Sequence, residues 1–371
     1  MREPSWFFPP PRPFLWRRKA VRGIFYVRDG YDIYGTLQEI RRLGGRPVRV
    51  LPSLGMIVGE FQSEYGLRES RFPPFIEHWE PDLQVTLTPA YIGAASRELS
   101  GVPWGVARVE ADRVWNISSG RAVKVAVIDT GIADDHPAIR NNYRGGINIL
   151  SPMFSPYDYN GHGTHIAGTI AGYMSEMGVI GVAPRAHLYA VKAFNRKGSA
   201  NLSDLLSAVN WCIEKKMQVI NMSFGMNKMS ESLRQAIHTA YRHGIVMVAA
   251  AGNQGSQQVD YPARYPETIG VTATEKGDRL ASFSNVGREV DIAAPGEKIS
   301  SAWLNGTKRE MSGTSMAVPH VTGTVALLLR LYPKLTPQQI REILTQTAGP
   351  VKGQTTMGLL NSYRSIKWIS R

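Results

Sequence analysis

Cysteine is nearly absent from this chain. The 371 residues include only Cys212, so no disulfide can form within the chain and a fold held together by disulfides is excluded. Cys212 lies among apolar residues in the helix-like segment from Leu205 to Lys216, with no basic or metal-binding side chain directly beside it. This setting favours a buried structural thiol over a reactive one.

Long apolar runs are also missing. No stretch of about 18 or more apolar residues occurs, which argues against a membrane-spanning helix. Residues 1–22 form an aromatic, Pro-rich and basic segment that lacks the continuous apolar core of a secretory signal. A cytoplasmic location is therefore favoured, with secretion as the alternative if translation starts elsewhere.

The chain has no dense basic tract, although its formal net charge is +13. Residues 1–98 contain 14 basic and 11 acidic side chains, and residues 99–371 contain 29 and 19, so the excess is spread along the chain. Nucleic-acid-binding proteins usually concentrate basic residues on one face or in one run. We therefore expect a solvated basic surface and no nucleic-acid partner.

Two patterns of secondary structure divide the sequence. Residues 23–87 combine short strand-like runs with a helix ended by Gly44-Gly45, which predicts a small α+β domain with a second short helix before its last strand. Residues 88–101 have the composition of a linker.

From residue 102 onward the pattern is that of an α/β domain, residues 102–371. Short apolar runs rich in β-branched residues alternate with helical segments, at residues 123–128, 188–191, 219–222, 245–250 and 269–272. Strands that are apolar on both faces are typical of a mostly parallel sheet with helices on both faces.

Asp129 ends the first of these apolar strands. Ligand sites of open α/β sheets lie at the carboxyl ends of strands, so a catalytic carboxylate is one interpretation. A turn or helix-cap residue is the other.

His162 lies between two glycines at the start of a helix of small residues, where close backbone approach allows an imidazole to face a cleft. His165 follows three residues later, so the two could bind a metal together. No acidic or cysteine partner stands at a ligand spacing, and we therefore expect no metal site and interpret His165 as a hydrogen-bonded core residue.

Ser315 and Asn253 complete the set of polar candidates. Ser315 precedes the apolar helix from Val321 to Leu331, and a helix start stabilises negative charge formed beside it, although an ordinary N-cap serine fits the same pattern. Asn253 follows the strand-like run 245–250, and its amide could donate to an oxyanion together with the Ser315 backbone N–H. A turn asparagine is the alternative.

Taken together, in the chain order Asp129, His162, Asn253 and Ser315, these motifs resemble those of the subtilisin family of serine proteases. The likeness extends from about Val102 to the C-terminus. It implies a subtilisin-like doubly wound fold and a serine endopeptidase that cleaves proteins through an acyl-enzyme without a required cofactor. Asp129, His162 and Ser315 would form the catalytic triad, and Asn253 with Ser315 the oxyanion hole.

The resemblance also assigns residues to substrate binding. Ser223-Phe224-Gly225 would pair with an extended substrate backbone. Asp260 falls at the floor of the pocket for the residue before the scissile bond, where a carboxylate would favour Lys or Arg. The alternative is an Asp260 that faces solvent or caps a turn.

Residues 23–87 are similar in pattern to the ferredoxin-like propeptide of the family, which implies an intramolecular inhibitor. Autoprocessing would then fall near Tyr91 to Gly101, in the linker and processing region 88–101, and Arg97-Glu98 is an attractive bond if the pocket prefers basic residues.

The sequence departs from the family at a tight calcium site. The carboxylate and asparagine that many subtilisins use there correspond to Ala138 and Ser175. Calcium needs several oxygen ligands, so we predict no tight calcium at this site, with Glu176 as a partial substitute and calcium elsewhere left open.

A different class of function keeps the fold without turnover, as a peptide-binding protein. Such a protein has no need of all four site residues, and the sequence therefore favours the enzyme.

Overall fold

The computed structural model describes residues 20–62, 73–87, 90–95 and 101–369. Most of the predicted N-terminal segment and the Arg97-Glu98 bond lie outside these residues. The chain between residues 62 and 73, which joins two strands of the N-terminal unit, also lies outside them, and the described residues of that unit contain one α-helix.

The N-terminal unit is built around an antiparallel four-stranded sheet. Its elements are β1 (Val21–Val27), α1 (Thr36–Arg42), β2 (Gly45–Leu51), β3 (Met56–Phe61) and β4 (Ile76–Pro81), with the strand order β2-β3-β1-β4. Leu37 and Ile40 form the buried side of α1. Two short strands follow, β5 (Gln84–Thr86) and β6 (Tyr91–Ala95).

Residues 101–369 form an α/β domain. Its strands are β7 (Lys124–Asp129), β8 (Tyr143–Asn148), β9 (Tyr173–Met174), β10 (Val179–Ile180), β11 (His187–Lys192), β12 (Ser199–Asn201), β13 (Val219–Met222), β14 (Val246–Ala250), β15 (Ile269–Thr274), β16 (Ile292–Pro295), β17 (Ile299–Ala302), β18 (Lys308–Ser312) and β19 (Gly358–Leu359). Its helices are α2 (Trp104–Arg108), α3 (His162–Ala171), α4 (Leu202–Glu214), α5 (Glu231–Arg242), α6 (Thr314–Leu331), α7 (Pro337–Gln346) and α8 (Ser362–Ile369).

Eight strands form the central sheet, in the order β19-β16-β15-β14-β13-β7-β11-β8, and every neighbouring pair is parallel. All five predicted strands belong to it. Along β7, Val125 and Val127 pack with the helices α3 and α6, whereas Ala126 and Ile128 pack with α4 and α5. Because successive side chains of a strand point to opposite faces, a strand apolar at every position is covered on both sides. The expected α/β architecture is confirmed.

The N-terminal unit packs on the face of the domain that α4 and α5 cover, and its core is continuous with theirs. Arg49 and Asp204 form an ion pair of 2.6 Å across this contact, with both side chains buried. The carboxylate of Asp82 accepts hydrogen bonds from the backbone N–H and hydroxyl of Ser203, next to the start of α4. A carboxylate is stabilised at the N-terminus of a helix. Asp82 therefore adds a favourable polar contact at the start of α4 to the apolar packing between the two units.

Two other features bear on the sequence predictions. Cys212 is buried in α4, and burial raises the pKa of its thiol. Within the described residues, no helix combines the length and the apolar composition needed to cross a bilayer.

Candidate active site

Asp129 and His162 meet at the carboxyl edge of the central sheet. Asp129 is the last residue of β7, and His162 is the first residue of α3. The Nδ1 atom of His162 lies 2.8 and 2.9 Å from the two carboxylate oxygens of Asp129, and both side chains are buried. The Thr130 backbone N–H also donates to Asp129, over 2.7 Å. The sequence pattern thus brings these two residues into direct contact.

A glycine beside the histidine makes this contact sterically possible. A Cβ on Gly163 would lie 2.1 Å from the Gly131 carbonyl oxygen and 3.2 Å from an Asp129 carboxylate oxygen. No side chain fits in that space, so the start of α3 can approach the end of β7 only with glycine at this position.

The electrostatics of the pair favour a charged imidazole. Burial alone would lower the pKa of His162, but the charge and hydrogen bond of Asp129, together with the more distant charge of Asp158, raise it above the ordinary histidine value. The carboxylate beside Nδ1 keeps a proton on that nitrogen. In the neutral imidazole, Nε2 is therefore the basic atom.

Ser315 lies in the first turn of α6 and is buried. Its hydroxyl donates to the Ser223 carbonyl oxygen over 3.0 Å, and the Ser223 hydroxyl donates to the Ser315 carbonyl oxygen over 3.0 Å. Nε2 of His162 makes no hydrogen bond within the described residues. In this structure the serine hydroxyl is thus bonded to Ser223.

The register of the central sheet places the Asp129-His162 pair close to the Ser223-Ser315 pair. β13 pairs with β7, and Met222 lies opposite Ile128, so the next residues, Ser223 and Asp129, emerge at the same edge on neighbouring strands. Neighbouring strands lie about 4.8 Å apart. The Asp129-His162 pair and the Ser223-Ser315 pair are consequently neighbours on one edge.

Asn253 is held against the start of α6. Its Oδ1 accepts hydrogen bonds of 2.8 Å from the backbone N–H and from the hydroxyl of Thr314. These bonds fix the orientation of the amide, so that its NH₂ group faces Gly313, where a Cβ would lie 2.9 Å from Nδ2. A fixed amide N–H next to Ser315 is the geometry that an oxyanion donor requires.

Asp260 is buried next to the segment Ser223-Phe224-Gly225. A Cβ on Gly225 or on Gly252 would lie 2.9 or 2.6 Å from the Asp260 Oδ2 atom, so two stretches of bare backbone border this carboxylate. Its one side-chain hydrogen bond within the described residues comes from the Gln254 amide, over 3.3 Å. Burial raises the pKa of Asp260, and that hydrogen bond only partly opposes the effect.

His165 faces away from the pair. Its Nε2 lies 2.9 and 3.1 Å from the carbonyl oxygens of Ile299 and Arg309, and burial lowers its pKa to about 3. His165 is thus a neutral, hydrogen-bonded residue of the core. In the part of the chain that the structure describes, no group of three or more His, Cys, Asp or Glu side chains could hold a metal ion.

The positions predicted to lack calcium ligands lie on adjacent backbone segments. The carbonyl oxygen of the buried Ala138 accepts a hydrogen bond from the Tyr173 N–H, two residues before Ser175. Glu176 is exposed.

Residues of the N-terminal region line the space in front of His162. Leu87, Ala90 and Ile92 contribute to the wall of a cavity of about 210 Å³ that His162 and Trp303 also line. On one side of it, β5 pairs antiparallel with β12, and the Leu87 N–H donates to Gly198 over 2.8 Å. On the other side, β6 pairs antiparallel with β18, the strand that leads to Ser315.

Sequence reasoning missed two polar residues of the site. Asp158 is fully buried four residues before His162, and the buried Lys192 donates its Nζ hydrogen to the Thr130 carbonyl oxygen. Both could have been suspected, because Asp158 precedes the histidine motif closely and Lys192 ends a strand adjacent to β7.

A parallel α/β sheet that carries a buried Asp-His pair and a helix-start serine along one edge is the arrangement of a serine hydrolase. Comparison with known proteins agrees with this class. Residues 120–364 match the model of the Subtilase family, peptidase family S8.

Individual relatives are similar over most of the chain. The Thermostable alkaline protease of Halalkalibacterium halodurans is 44% identical over 67% of this chain and 68% of its own length. The Alkaline protease of Alkalihalobacillus alcalophilus is 41% identical over 79% and 72%, and Subtilisin Savinase of Lederbergia lenta is 43% identical over 71% and 95%. The chain belongs to the subtilase family. It is a serine endopeptidase, a hydrolase that acts on proteins, and this family needs no cofactor for catalysis.

Proposed function

We propose that this endopeptidase cleaves peptide bonds with Ser315 as nucleophile, His162 as general base and Asp129 as the carboxylate that orients the imidazole. The observation that carries the proposal is the buried hydrogen bond between His162 Nδ1 and Asp129, on the strand next to the Ser223-Ser315 pair. A serine hydroxyl is a weak nucleophile at neutral pH and needs such a base.

The proposed reaction begins when an extended substrate binds along Ser223-Phe224-Gly225. A substrate N–H can donate to the Ser223 carbonyl oxygen, which now accepts from the Ser315 hydroxyl. The hydroxyl then turns to His162 Nε2, which has no partner within the described residues. As Ser315 Oγ attacks the carbonyl carbon, His162 takes its proton, and the Asp129 carboxylate stabilises the imidazolium.

The tetrahedral intermediate carries negative charge on the former carbonyl oxygen. The Asn253 amide and the Ser315 backbone N–H are the proposed donors to this oxyanion. His162 then returns its proton to the leaving amine, which leaves an acyl-enzyme on Ser315. Water attacks this ester by the same route, again with His162 as base.

The N-terminal unit is the proposed intramolecular inhibitor. Its support is the chain that follows β4, because β5 and β6 add antiparallel strands to β12 and β18 on both sides of the site, which is a mode by which extended peptides bind. A Cβ on Gly313 would lie 3.6 Å from the Ala90 side chain and 2.9 Å from Asn253 Nδ2. Within the predicted processing region 88–101, this favours cleavage between Leu87 and Tyr91 over cleavage at Arg97-Glu98.

Expression of the full-length chain and its Ser315→Ala variant side by side tests both proposals. Only the parent chain should shorten itself, and N-terminal sequencing should find the new terminus between residues 88 and 91. Shortening of the variant in a protease-free preparation would contradict the role of Ser315. A terminus at Glu98 would contradict the inferred position of cleavage, but leave the triad intact.

Asp260 is the proposed basis of a preference for Lys or Arg before the scissile bond. The carboxylate is buried behind glycine backbone, and no cation lies within ion-pair distance of it among the described residues. A charged side chain from the substrate would supply the missing partner. Cleavage profiling of a mixed peptide library should find Lys and Arg enriched at this position, and a profile of large apolar residues alone would reject the preference.

Tight calcium binding is not expected at the Ala138 and Ser175 positions. In a calorimetric titration with calcium we expect no sub-micromolar binding that can be assigned to these positions, and sub-micromolar binding that Glu176→Ala leaves intact would contradict this proposal.

A further inference from the structure

Asp158 is buried at the entrance to α3, and the triad alone leaves its purpose unexplained. One carboxylate oxygen accepts the backbone N–H groups of Asn160 and Gly161, over 2.8 and 2.9 Å. The other accepts the backbone N–H and the hydroxyl of Thr164, over 3.0 and 2.7 Å. This one side chain therefore holds both the loop before His162 and the first turn after it.

The first turn of α3 is closed by side chains from three places. The His162 N–H donates to the Asn160 side chain, the Gly163 N–H to the Thr130 hydroxyl, and the Thr164 N–H to Asp158. The first N–H groups of a helix have no partner within the helix, so these three bonds determine how the helix begins. Because His162 is the first helical residue, they also determine where its imidazole points.

The same network reaches Asp129. The Thr164 hydroxyl accepts from the Ala133 N–H over 3.0 Å, and the Thr130 N–H donates to Asp129. Asp158 thus ties the loop after β7 to the loop before α3, and these two loops carry the two members of the Asp-His pair.

The titratable groups that act on His162 among the described residues lie on β7, in the loop before α3 and on α3 itself, where the buried His165 is neutral. Asp129 contacts it directly, and the charge of Asp158 also acts on it. Lys192, whose Nζ donates to the Thr130 carbonyl oxygen, faces both carboxylates from the neighbouring strand β11. Loss of the negative charge of Asp158 would leave Lys192 less balanced and the imidazolium less stabilised.

We propose that Asp158 is a positioning residue, which fixes the His162 imidazole through the first turn of α3; this rests on the proposed role of His162 as general base. Among the described residues the Asp158 side chain bonds to Asn160, Gly161 and Thr164, and not to the side chain of His162 or Ser315. Its contribution therefore belongs to the rate of the chemical step, and not to substrate binding.

The test is Asp158→Asn in the full-length chain, with active sites counted by fluorophosphonate titration. We expect kcat per titrated site to fall on the order of tenfold to a hundredfold, because small displacements of a catalytic group have effects of this size. KM should change little. The acidic limb of the kcat/KM profile should move to lower pH, since the imidazolium loses a stabilising charge.

Asp135→Asn is the matched control, because it removes an exposed carboxylate of the same region whose side-chain hydrogen bond among the described residues comes from the Tyr157 hydroxyl. It should leave kcat and the pH profile as in the parent. If Asp158→Asn loses only thermal stability or titratable sites, with kcat per site and the acidic limb unchanged, the residue is structural and the proposal is wrong.

Thr164→Val decides the matter if Asp158→Asn does not fold. It removes the hydroxyl link between Asp158 and the Ala133 N–H but keeps the charge of Asp158. We expect kcat per site to fall severalfold with the acidic limb in place. An unchanged kcat in a folded Thr164→Val protein would overturn the proposal.

Discussion

Two of the buried carboxylates near the cleft, Asp129 and Asp260, lie in contrasting surroundings. Asp129 accepts hydrogen bonds from the His162 ring and from a backbone N–H, all shorter than 3.0 Å. Asp260 accepts a single, longer side-chain bond from Gln254, and its pKa is raised by burial. The chain supplies the partner of the first carboxylate, whereas the second has no cationic partner among the described residues and can receive one from outside.

We infer that this difference separates catalysis, the proposed role of Asp129, from substrate selection, the proposed role of Asp260. A carboxylate paired within the chain serves every substrate equally, because its contacts exist before substrate binds. A buried carboxylate that lacks a cation discriminates between substrates, because only a basic side chain compensates its desolvation. Substitutions in the proposed catalytic group should accordingly lower kcat for all peptides. Substitution of Asp260 should instead change which peptides have the highest kcat/KM.

Replacement of Ser315 should have the largest effect. Ser315→Ala removes the nucleophile, and hydrolysis should fall about 10⁶-fold for basic and apolar peptides alike, a magnitude that comes from subtilisin itself. Steady-state assays with two peptides that differ only before the scissile bond measure this. A residual rate near that of the parent, or a loss of activity confined to one peptide, would contradict the proposed separation of catalysis from substrate selection.

Replacement of Asn253 should have the second largest effect on activity. Asn253→Ala removes an oxyanion donor, and kcat should fall by about 10² to 10³, again a value known from subtilisin, with little change in KM. The Thr314 hydroxyl holds the same amide, so Thr314→Val is an informative companion and should give a smaller fall in kcat. An Asn253→Ala protein with parental kcat would exclude this residue from the oxyanion hole.

Asp260 should alter selectivity alone. Asp260→Asn keeps the size of the side chain but removes its charge, and kcat/KM for Lys and Arg peptides should fall about tenfold to a hundredfold, the range of a charge-assisted hydrogen bond. Leu and Phe peptides should be cleaved at the parental rate or faster. Equal losses for all four peptides would place Asp260 outside the specificity pocket.

The smallest expected effect is on the pH at which activity is lost. His162 must be neutral to accept the Ser315 proton, and its pKa is raised, so activity should be lost as the pH falls through a value above about 6.5, the ordinary histidine pKa. The kcat/KM profile of the self-processed enzyme measures this midpoint. A midpoint below that of an ordinary histidine would show that Asp129 does not stabilise the imidazolium as described.

The sequence was sufficient to predict five strands of the central sheet, because apolar runs such as Val123 to Ile128 have one interpretation in an α/β protein. It was insufficient for β8, β16 and β19. Glycines interrupt β8, two alanines and a proline follow Ile292 in β16, and β19 is only two residues long, so none of them shows a run of β-branched apolar residues.

Prediction of the site from the sequence was limited in a similar way. The glycines around His162 indicated a close approach, and the structure shows that approach at Gly163. The bond from the Ser315 hydroxyl to Ser223, which lies 92 residues away, could not be predicted, since only the folded sheet brings these segments together. Asp158 was missed for a related reason, because three of its four hydrogen bonds come from backbone N–H groups and only its position shortly before the histidine motif pointed to it.

The most direct test of the central proposal is to locate a fluorophosphonate label by peptide mass spectrometry in the self-processed parent chain, with His162→Ala as the paired variant. We predict that Ser315 is the labelled residue in the parent chain, and that His162→Ala reduces the labelling rate at Ser315 by several orders of magnitude. Labelling of a different serine, or a rate at Ser315 that His162→Ala leaves unchanged, would contradict the account.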